Sequence, residues 1–178
     1  MDNITYGRIS EENFSRTSLD GFIRRQEVRE CWRRVDGQWK LLPISYVEDW
    51  DLEARRVRAC RILQGIQAGG MAFGAWHEGT VAGFARLALP LFGRECQYID
   101  LAQLHISEPF RRRGIGGKLF RLACEGARAS GASKLYISAH SARESIAAYR
   151  KYGCVEAEEV NQILAEKEPC DMQMEFRL

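Results

Sequence analysis

The residues that most clearly suggest a binding site form a turn rich in arginine and glycine. It reads Arg111-Arg112-Arg113-Gly114-Ile115-Gly116-Gly117-Lys118 and lies between a strand-like run, Tyr98 to Ile106, and an amphipathic helix that begins near Gly116. A strand that enters such a turn at a helix N-terminus points several backbone N–H groups in one direction, with the positive end of the helix dipole behind them. Gly114 and Gly116 permit close backbone approach, and the arginines supply positive charge. The turn is therefore predicted to bind a pyrophosphate.

The spacing of the glycines excludes the two commonest phosphate loops. A P-loop requires a glycine at position 112, which is arginine, and a dinucleotide fingerprint requires one at position 119, which is leucine. The remaining pattern, Arg-x-x-Gly-x-Gly, resembles the signature Gln/Arg-x-x-Gly-x-Gly/Ala of the GNAT family of acetyl-CoA-dependent N-acetyltransferases. The strand before the turn, and the helix, strand, helix and glycine after it, follow that family's order.

The resemblance implies a fold and a cofactor. The expected fold class is α+β, with a central, mostly antiparallel sheet, one splayed strand pair and helices on both faces. One domain over 1–178 is expected, with 1–70 as a divergent region on the acceptor side and 71–178 as the acetyl-CoA-binding core. Acetyl-CoA is the expected co-substrate. No metal is expected, because His77, His105 and His140 lack metal-ligand spacing.

A second segment, downstream of the turn, agrees with the same family. Lys134 to Ala139 is predicted to be a short strand, and Ser141 and Glu144 form a capping box that would begin the next helix. Gly153 would end this helix in a left-handed conformation. Strand, helix and glycine therefore recur in the expected order.

The resemblance also assigns a tyrosine to this helix. The family pattern Ala-x-x-x-Tyr-x-x-x-Gly-Phe is similar to Ser145 to Cys154, with Tyr149 at the tyrosine position. Tyr149 is the expected acid for the coenzyme A thiolate, since a phenol with a pKa of about 10 can donate to a thiolate beside it. The alternative is a tyrosine that only packs the helix on the sheet. Ala142 stands where many members have an asparagine that contacts pantetheine, and Ser141 is a candidate substitute.

The end of the preceding strand is expected to bind the cofactor through its backbone. In the family an N–H in this stretch faces the thioester oxygen, so Leu104 is the expected oxyanion donor, and pantetheine would run along Leu104, His105 and Ile106. Backbone groups of the turn would bind the pyrophosphate. Strand alternation places His105 on the opposite face from Leu104, which favours a structural role for the imidazole.

Asp100 is the candidate general base. An amine with a pKa near 10 must lose a proton before it attacks. Asp100 lies eleven residues before Arg111, the offset at which histone-type members carry a catalytic glutamate. Aspartate is shorter by one methylene, so a water relay would bridge the gap. An equally favoured interpretation is that the Asp100 carboxylate pairs with an arginine.

An acidic cluster is the candidate acceptor site. Glu48, Asp49, Asp51 and Glu53 surround Trp50. Glu48, Asp49 and Trp50 could receive a cationic amine by charge and cation–π contact. The alternative is that acidic residues favour a helix N-terminus.

Composition limits the function classes. A net charge of +2 is too small to indicate a nucleic-acid partner, and the arginine pairs at 24–25, 33–34 and 55–56 are expected to be solvated. No apolar run approaches the roughly 20 residues of a membrane span, and the polar start Met1-Asp2-Asn3 predicts no signal peptide. The six cysteines contain no Cys-x-x-Cys pair and predict reduced thiols in a cytoplasmic protein.

Regular elements must position these residues. Asp36-Gly37 predicts a hairpin of strands at about 22–34 and 38–47. With Trp32, Trp39 and Tyr46, this hairpin is similar to the N-terminal part of streptothricin-type acetyltransferases, which would imply an antibiotic or β-lysine-like amine. That similarity leaves the substrate open. Further predictions are a helix over 52–69, a hairpin over 71–89, a strand over 96–106, a helix over 116–130 and a strand over 171–178.

The sequence therefore predicts an N-acetyltransferase. It would move an acetyl group from acetyl-CoA to a primary amine of a small-molecule acceptor, by direct attack in a ternary complex. The alternatives are a protein lysine or N-terminal acetyltransferase, if the acceptor groove is open, and a non-catalytic acetyl-CoA-binding regulator. A homodimer is a further option, and neither a nucleic-acid nor a membrane partner is expected.

Overall fold

A seven-stranded sheet organises the structure, a computed structural model that describes residues 3–178. The first two residues of the Met1-Asp2-Asn3 start, on which the signal-peptide prediction depends, lie outside the described residues. The strands are β1 (Ile4–Arg8), β2 (Gln26–Val35), β3 (Gln38–Glu48), β4 (Met71–His77), β5 (Thr80–Phe92), β6 (Tyr98–Ile106), β7 (Lys134–Ala139), β8 (Val155–Glu156) and β9 (Met172–Arg177). The helices are α1 (Leu52–Gln67), α2 (Ile115–Ala129), α3 (Arg143–Tyr152) and α4 (Gln162–Lys167), and a 3-10 turn spans Glu108–Phe110.

The large sheet is mixed but mostly antiparallel. Its strand order is β1-β4-β5-β6-β7-β9-β8, and β6 with β7 is its one parallel pair among residues 3–178. A parallel pair requires a crossover connection, which α2 provides. The α+β fold class predicted from the sequence is confirmed.

The two parallel strands separate halfway along their length. Their last paired residues are Asp100 and Tyr136, although β6 continues to Ile106 and β7 to Ala139. Strands that part leave backbone N–H and C=O groups that need other partners. The splayed strand pair is therefore present, and it opens a gap within the sheet.

Strands β2 and β3 form a separate two-stranded sheet. Their connecting turn has positive φ at both central residues, 52° at Asp36 and 77° at Gly37, as a two-residue hairpin turn requires. The hairpin is attached to the segment before α3, because Cys31 bridges to Ala142 and the Trp32 N–H donates to the Ser141 carbonyl over 2.8 Å. This attachment brings the hairpin to the β7 side of the gap.

Helices cover both faces of the large sheet. On one face α2 buries Leu119, Phe120 and Ala123 in a core that includes Leu87 and Leu101 from the sheet. On the other face α1 packs with the turns that follow β1, and a second core forms there from Ile9, Phe14, Leu19, Phe22, Trp50, Ala59, Ile62, Ala72, Val81 and Phe84. Among residues 3–178 no helix is long and apolar enough to cross a bilayer.

The structure corrects one local prediction and adds elements that the sequence did not indicate. The capping box is wrong: α3 begins after Ala142, and no side chain caps it. Ser141 instead accepts a hydrogen bond from the Arg33 guanidinium over 2.6 Å. Strands β1 and β8 and helix α4 were not predicted, and β2 begins four residues later than expected, at Gln26.

Candidate active site

A cleft of about 810 Å³ lies where β6 and β7 separate. Its walls come from every element around the gap: the chain before β2, the end of β3, α1, β5, β6, the start of α2, α3 and the segment from α4 to β9. The predicted residues that line it are Asp100, Leu104, His105, Ile106, Arg111, Gly116, Tyr149, Glu48 and Trp50. The structure therefore brings together candidates from distant parts of the chain.

The backbone of β6 offers free N–H groups to the cleft. The Ser107 N–H donates to the Ala82 carbonyl over 2.9 Å, and hydrogen-bonded pairs alternate with non-bonded pairs along an antiparallel ladder. By this alternation the Leu104 and Ile106 N–H groups point away from β5, into the gap. The Ile106 carbonyl, which accepts from Arg111 Nε over 3.3 Å, agrees with this orientation.

A bulge in β6 decides which side chains face the acceptor side. Arg86 pairs with Gln103 but Leu87 pairs with Leu101, so Ala102 is an extra residue. Leu101 and Leu104 both pack in the α2 core. Asp100 consequently lies on the opposite face, the face on which His105 contacts Phe84 and Trp50.

The turn before α2 has the geometry of an anion site. Gly114 is the helix N-cap with φ of 80°, and no side chain caps the first turn, so its leading N–H groups are open to a ligand. A Cβ at Gly116 would lie 2.8 Å from the Tyr152 hydroxyl, so only glycine fits there without displacing Tyr152. The Arg112 backbone also has a positive φ, 62°.

The side chains of the turn divide between cleft, solvent and core. Arg111 lines the cleft, whereas Arg112, Arg113 and Lys118 are exposed. The Ile115 side chain belongs to the α2 core, so only its backbone can contact a ligand. Gly117 is half-buried at the helix start.

Two tyrosines of α3 face the cleft. Burial raises the pKa of Tyr149 far above its ordinary value, and the neighbouring Cys154 and Tyr152 act in the same direction. The phenol is therefore protonated at neutral pH, which is the state that an acid requires. The Tyr152 ring lies 6.5 Å from the Tyr149 ring, nearly perpendicular to it.

Asp100 carries a titratable carboxyl group at the point where β6 and β7 separate. Burial raises its pKa from 3.8 to about 6, against the opposing effects of Arg86 and Lys167. A carboxylate with a pKa near 6 is ionised at neutral pH yet more basic than an ordinary aspartate. The side chain makes no hydrogen bond or ion pair within residues 3–178.

Glu48 joins a polar network at the end of β3. Its two carboxylate oxygens contact Arg24 Nη2 at 3.1 Å and His140 Nε2 at 3.4 Å. The hydrogen bond to His140 is the largest cause of the low pKa of Glu48, which is about 2, and the charge of Arg24 acts in the same direction. The Ala142 N–H donates to His140 Nδ1 over 3.3 Å, so the Nε2–H faces Glu48 and the Tyr46 hydroxyl.

The other two residues predicted to receive a cationic amine, Asp49 and Trp50, are not available to a cation in the cleft. Asp49 is exposed and does not line the cleft. The Trp50 ring is covered by Arg58, whose guanidinium carbon lies 4.0 Å from its centroid, and His105 meets the ring edge-on at 4.8 Å. Burial lowers the pKa of His105 to about 3, so its imidazole is neutral.

Ser141 is not brought to the cleft, because it is buried under Arg33. Several cleft residues were missed by the sequence analysis, namely Arg24, Arg58, Arg61, Arg86, His140 and Tyr152. The expectation that the arginine pairs are solvated is wrong for Arg24, which is 8% exposed. No local pattern marks these residues, since each reaches the cleft through tertiary packing. Residues 3–178 contain no cluster of three or more His, Cys, Asp or Glu side chains suited to a metal ion.

Known proteins share this fold. The family model described as Acetyltransferase (GNAT) family matches residues 27–154. The comparison with curated protein sequences found no match. Among solved structures, nourseothricin acetyltransferase is 16% identical over 98% of both chains, with a TM-score of 0.72.

Two further solved structures contain the coenzyme. A GNAT family acetyltransferase from Elizabethkingia anophelis with acetyl-CoA bound is 16% identical over 100% of both chains, with a TM-score of 0.60. The PaiA N-acetyltransferase from Thermoplasma acidophilum, in complex with coenzyme A, is 16% identical over 99% of both chains, with a TM-score of 0.61. Because the family match covers more than half of the sequence, the chain belongs to the GNAT family of acetyltransferases.

Proposed function

We propose that this protein transfers the acetyl group of acetyl-CoA to a primary amine of a small-molecule acceptor, by direct attack in a ternary complex. Family membership supplies the reaction class, acetyl transfer. The observation that carries the rest is the meeting of Leu104, Asp100 and Tyr149 in one cleft, at the separation of β6 and β7.

Each of these residues meets one requirement of the reaction. The Asp100 carboxylate accepts a proton from the acceptor ammonium, directly or through a water, so that the neutral amine can form the new C–N bond. The Leu104 N–H stabilises the negative charge that develops on the thioester oxygen. Tyr149 donates its proton to the sulfur as the C–S bond breaks, and the attacking nitrogen loses its second proton to the Tyr149 phenolate or to solvent as the amide forms. Asp100 returns to its ionised state by proton exchange with solvent.

The start of α2 and the turn before it would hold the pyrophosphate of acetyl-CoA. The uncapped N–H groups after Gly114 and the exposed Arg112, Arg113 and Lys118 side chains fit a doubly charged group. Pantetheine would follow the free backbone groups of Leu104 and Ile106. Acetyl-CoA, when bound, supplies the activated acetyl thioester.

The walls of the cleft favour a small acceptor over a protein lysine. Residues before β2, at the end of β3, on α1 and after α4 border the acceptor side. The hairpin is also fixed to the start of α3 by a backbone hydrogen bond and by the Arg143–Glu30 ion pair. Segments from several elements can therefore surround a small acceptor. The location proposed is the cytoplasm, because all six cysteines are free thiols, as is typical of reducing compartments.

The test is a screen for amine-dependent release of coenzyme A. Primary amines, amino acids, polyamines, aminoglycosides and short peptides would each be offered with acetyl-CoA, and the thiol released would be measured against a reaction without acceptor. Calorimetry of acetyl-CoA binding runs beside it. Binding without release for any amine would favour the regulator, and release with peptides alone would favour the protein acetyltransferase.

A further inference from the structure

One buried arginine in the cleft has an unused hydrogen-bonding group. Arg24 is 8% exposed, and its Nη1 is the one buried side-chain nitrogen or oxygen without a hydrogen-bond partner among residues 3–178. Its other nitrogens are engaged, since Nη2 contacts Glu48 at 3.1 Å and Nε lies 3.4 Å from His105 Nδ1. A buried charged donor without a partner is costly unless a ligand satisfies it. Arg24 lines the cleft, so such a ligand would lie there.

Three further arginines line the same side of the cleft. Arg58 and Arg61 project from α1, and Arg86 projects from β5. Arg58 covers Trp50, the ring that Arg24 also approaches at 5.8 Å. Burial lowers the pKa of both Arg58 and Arg86, and the positive charge of Arg61 acts on each in the same direction, so the three charges lie close enough to repel one another. Arg61 has no hydrogen bond or ion pair within the described part of the chain.

Charges of both signs line the cleft, where Glu48 pairs with Arg24 and Lys167 adjoins Glu168 in the sequence. The arginines come from α1, β5 and the chain before β2, whereas Glu144, Glu168 and Asp171 come from α3 and from the segment between α4 and β9. Asp100 lies between these groups. It pairs across the ladder with Ala88, two residues from Arg86, which is about 7 Å along a strand.

We propose that the acceptor carries a carboxylate as well as its amine, and that Arg24, Arg58 and Arg61 bind this carboxylate while the amine lies at Asp100. The inference rests on the acetyl transfer proposed above and narrows its substrate class to amino acids. Among the acceptors of this class are the α-, β- and γ-amino acids, in which one to three carbons separate the amine from the carboxylate.

A purely cationic acceptor fits this wall less well. Glu48 is already paired with Arg24 and His140, and Arg58 occupies the face of Trp50. A polyamine or an aminoglycoside would therefore place positive charge beside unneutralised arginines. Like charges at such distances repel, most strongly where water is excluded.

The experiment compares acceptors that differ only in the carboxylate. The twenty standard amino acids, β-alanine and 4-aminobutyrate would each be tested against the matching primary amide, with coenzyme A release as the readout. We expect at least one carboxylate to exceed its amide by about 10- to 100-fold in kcat/KM, the value of charge-assisted hydrogen bonds to a bound anion. Equal rates for acids and amides would overturn the carboxylate site and leave acetyl transfer intact.

Arg61→Gln tests the site directly, because Arg61 is exposed and supports no other contact. We expect it to raise KM for the preferred carboxylate by about 10-fold and to leave KM for the amide unchanged. Arg56→Gln is the matched control on the same helix, since Arg56 pairs with Asp20 and does not line the cleft. An equal loss for acid and amide in Arg61→Gln would contradict the assignment.

A binding measurement separates this inference from the reaction. The same amino acids and amides would be added to the protein with coenzyme A, and the change in Tm recorded. If no amine releases coenzyme A but a carboxylate raises Tm through Arg61, the anionic site stands and the reaction fails. If no carboxylate either reacts or raises Tm, the anionic site is refuted.

Discussion

Replacing Asp100 with asparagine tests the proposed base through stability as well as rate. Burial raises the Asp100 pKa from 3.8 to about 6 in the folded chain, so folding disfavours the ionised carboxylate. That difference corresponds to about 3 kcal/mol, since a tenfold change in an equilibrium is about 1.4 kcal/mol. The folded state binds this proton more tightly than the unfolded state does. Asp100 therefore reduces stability progressively as the pH rises from about 4 to about 6, and the reduction is complete above that range.

Asp100→Asn removes the ionisation and should stabilise the protein above pH 6. The asparagine amide is also a polar group that must be buried at this position, which offsets part of the gain. We expect about 1 to 2 kcal/mol at pH 8, or a rise in Tm of roughly 2 to 8 °C for a chain of this size. The rise should be smaller at pH 5, where the native carboxyl is mostly protonated.

The same variant should be slower. We expect kcat/KM near pH 7 to fall by about 10²-fold or more, with the deficit shrinking towards pH 10, where the amine deprotonates in solution. Wild-type kcat/KM should show an acidic limb with an apparent pKa near 6. Thermal denaturation at pH 5 and pH 8 and a pH–rate profile measure both effects.

Asp20→Asn is the control of opposite sign. The Arg56 contact lowers the pKa of Asp20, so this substitution should lower Tm and leave the rate unchanged. A lowered Tm for Asp100→Asn, with a rate deficit that persists at high pH, would refute the reasoning. Asp100 would then be an ion-pair partner of Arg86, and the reaction would lack an assigned base.

Three other substitutions test the proposed acid Tyr149, the proposed pyrophosphate site at the start of α2, and the core. Tyr149→Phe keeps the aromatic ring on α3, so the Kd for acetyl-CoA should stay within about twofold while kcat falls by roughly 10² to 10⁴. A kcat within twofold of wild type would show that Tyr149 only packs the helix against the sheet. Gly116→Val should weaken acetyl-CoA binding by at least about 10-fold in calorimetry, since a Cβ would displace the Tyr152 hydroxyl, and circular dichroism would check that the fold persists. Tyr98→Phe removes a buried hydroxyl that donates to Glu175 and should lower the free energy of unfolding in urea by about 1 to 2 kcal/mol, with acetyl-CoA affinity unchanged.

Local chemistry explains the predictions that the structure confirms. The Asp36-Gly37 pair predicted a tight hairpin turn, because aspartate and glycine accept the positive φ that this turn requires, and both residues have it. The left-handed Gly153, with φ of 97°, ends α3 as its position after the helix predicted. Such features depend on a few neighbouring residues and can be inferred without the fold.

The predictions that failed depended on contacts over long sequence distances. Serine is a common helix-capping residue, but the Ser141 hydroxyl accepts a hydrogen bond from Arg33, which lies 108 residues away in the sequence. A further feature was not predicted at all: the bulge at Ala102 turns Asp100 to the opposite face from Leu104, whereas uninterrupted alternation would place the two on one face. Arginine is a residue type usually found at the surface, and Arg24 becomes buried only because β3 and α1 enclose it. No pattern within one segment contains this information.

The attachment of the β2–β3 hairpin to α3 has an evolutionary consequence. The Trp32 N–H holds the Ser141 carbonyl at 2.8 Å, and the Arg150 guanidinium lies 4.7 Å from the Trp32 ring centroid, so both ends of the helix that carries Tyr149 rest on the hairpin. Two segments more than a hundred residues apart thus form one inherited unit. A change in the hairpin that moves Trp32 would also move the helix that carries Tyr149, the proposed acid. Hairpin and helix are therefore constrained to diversify together.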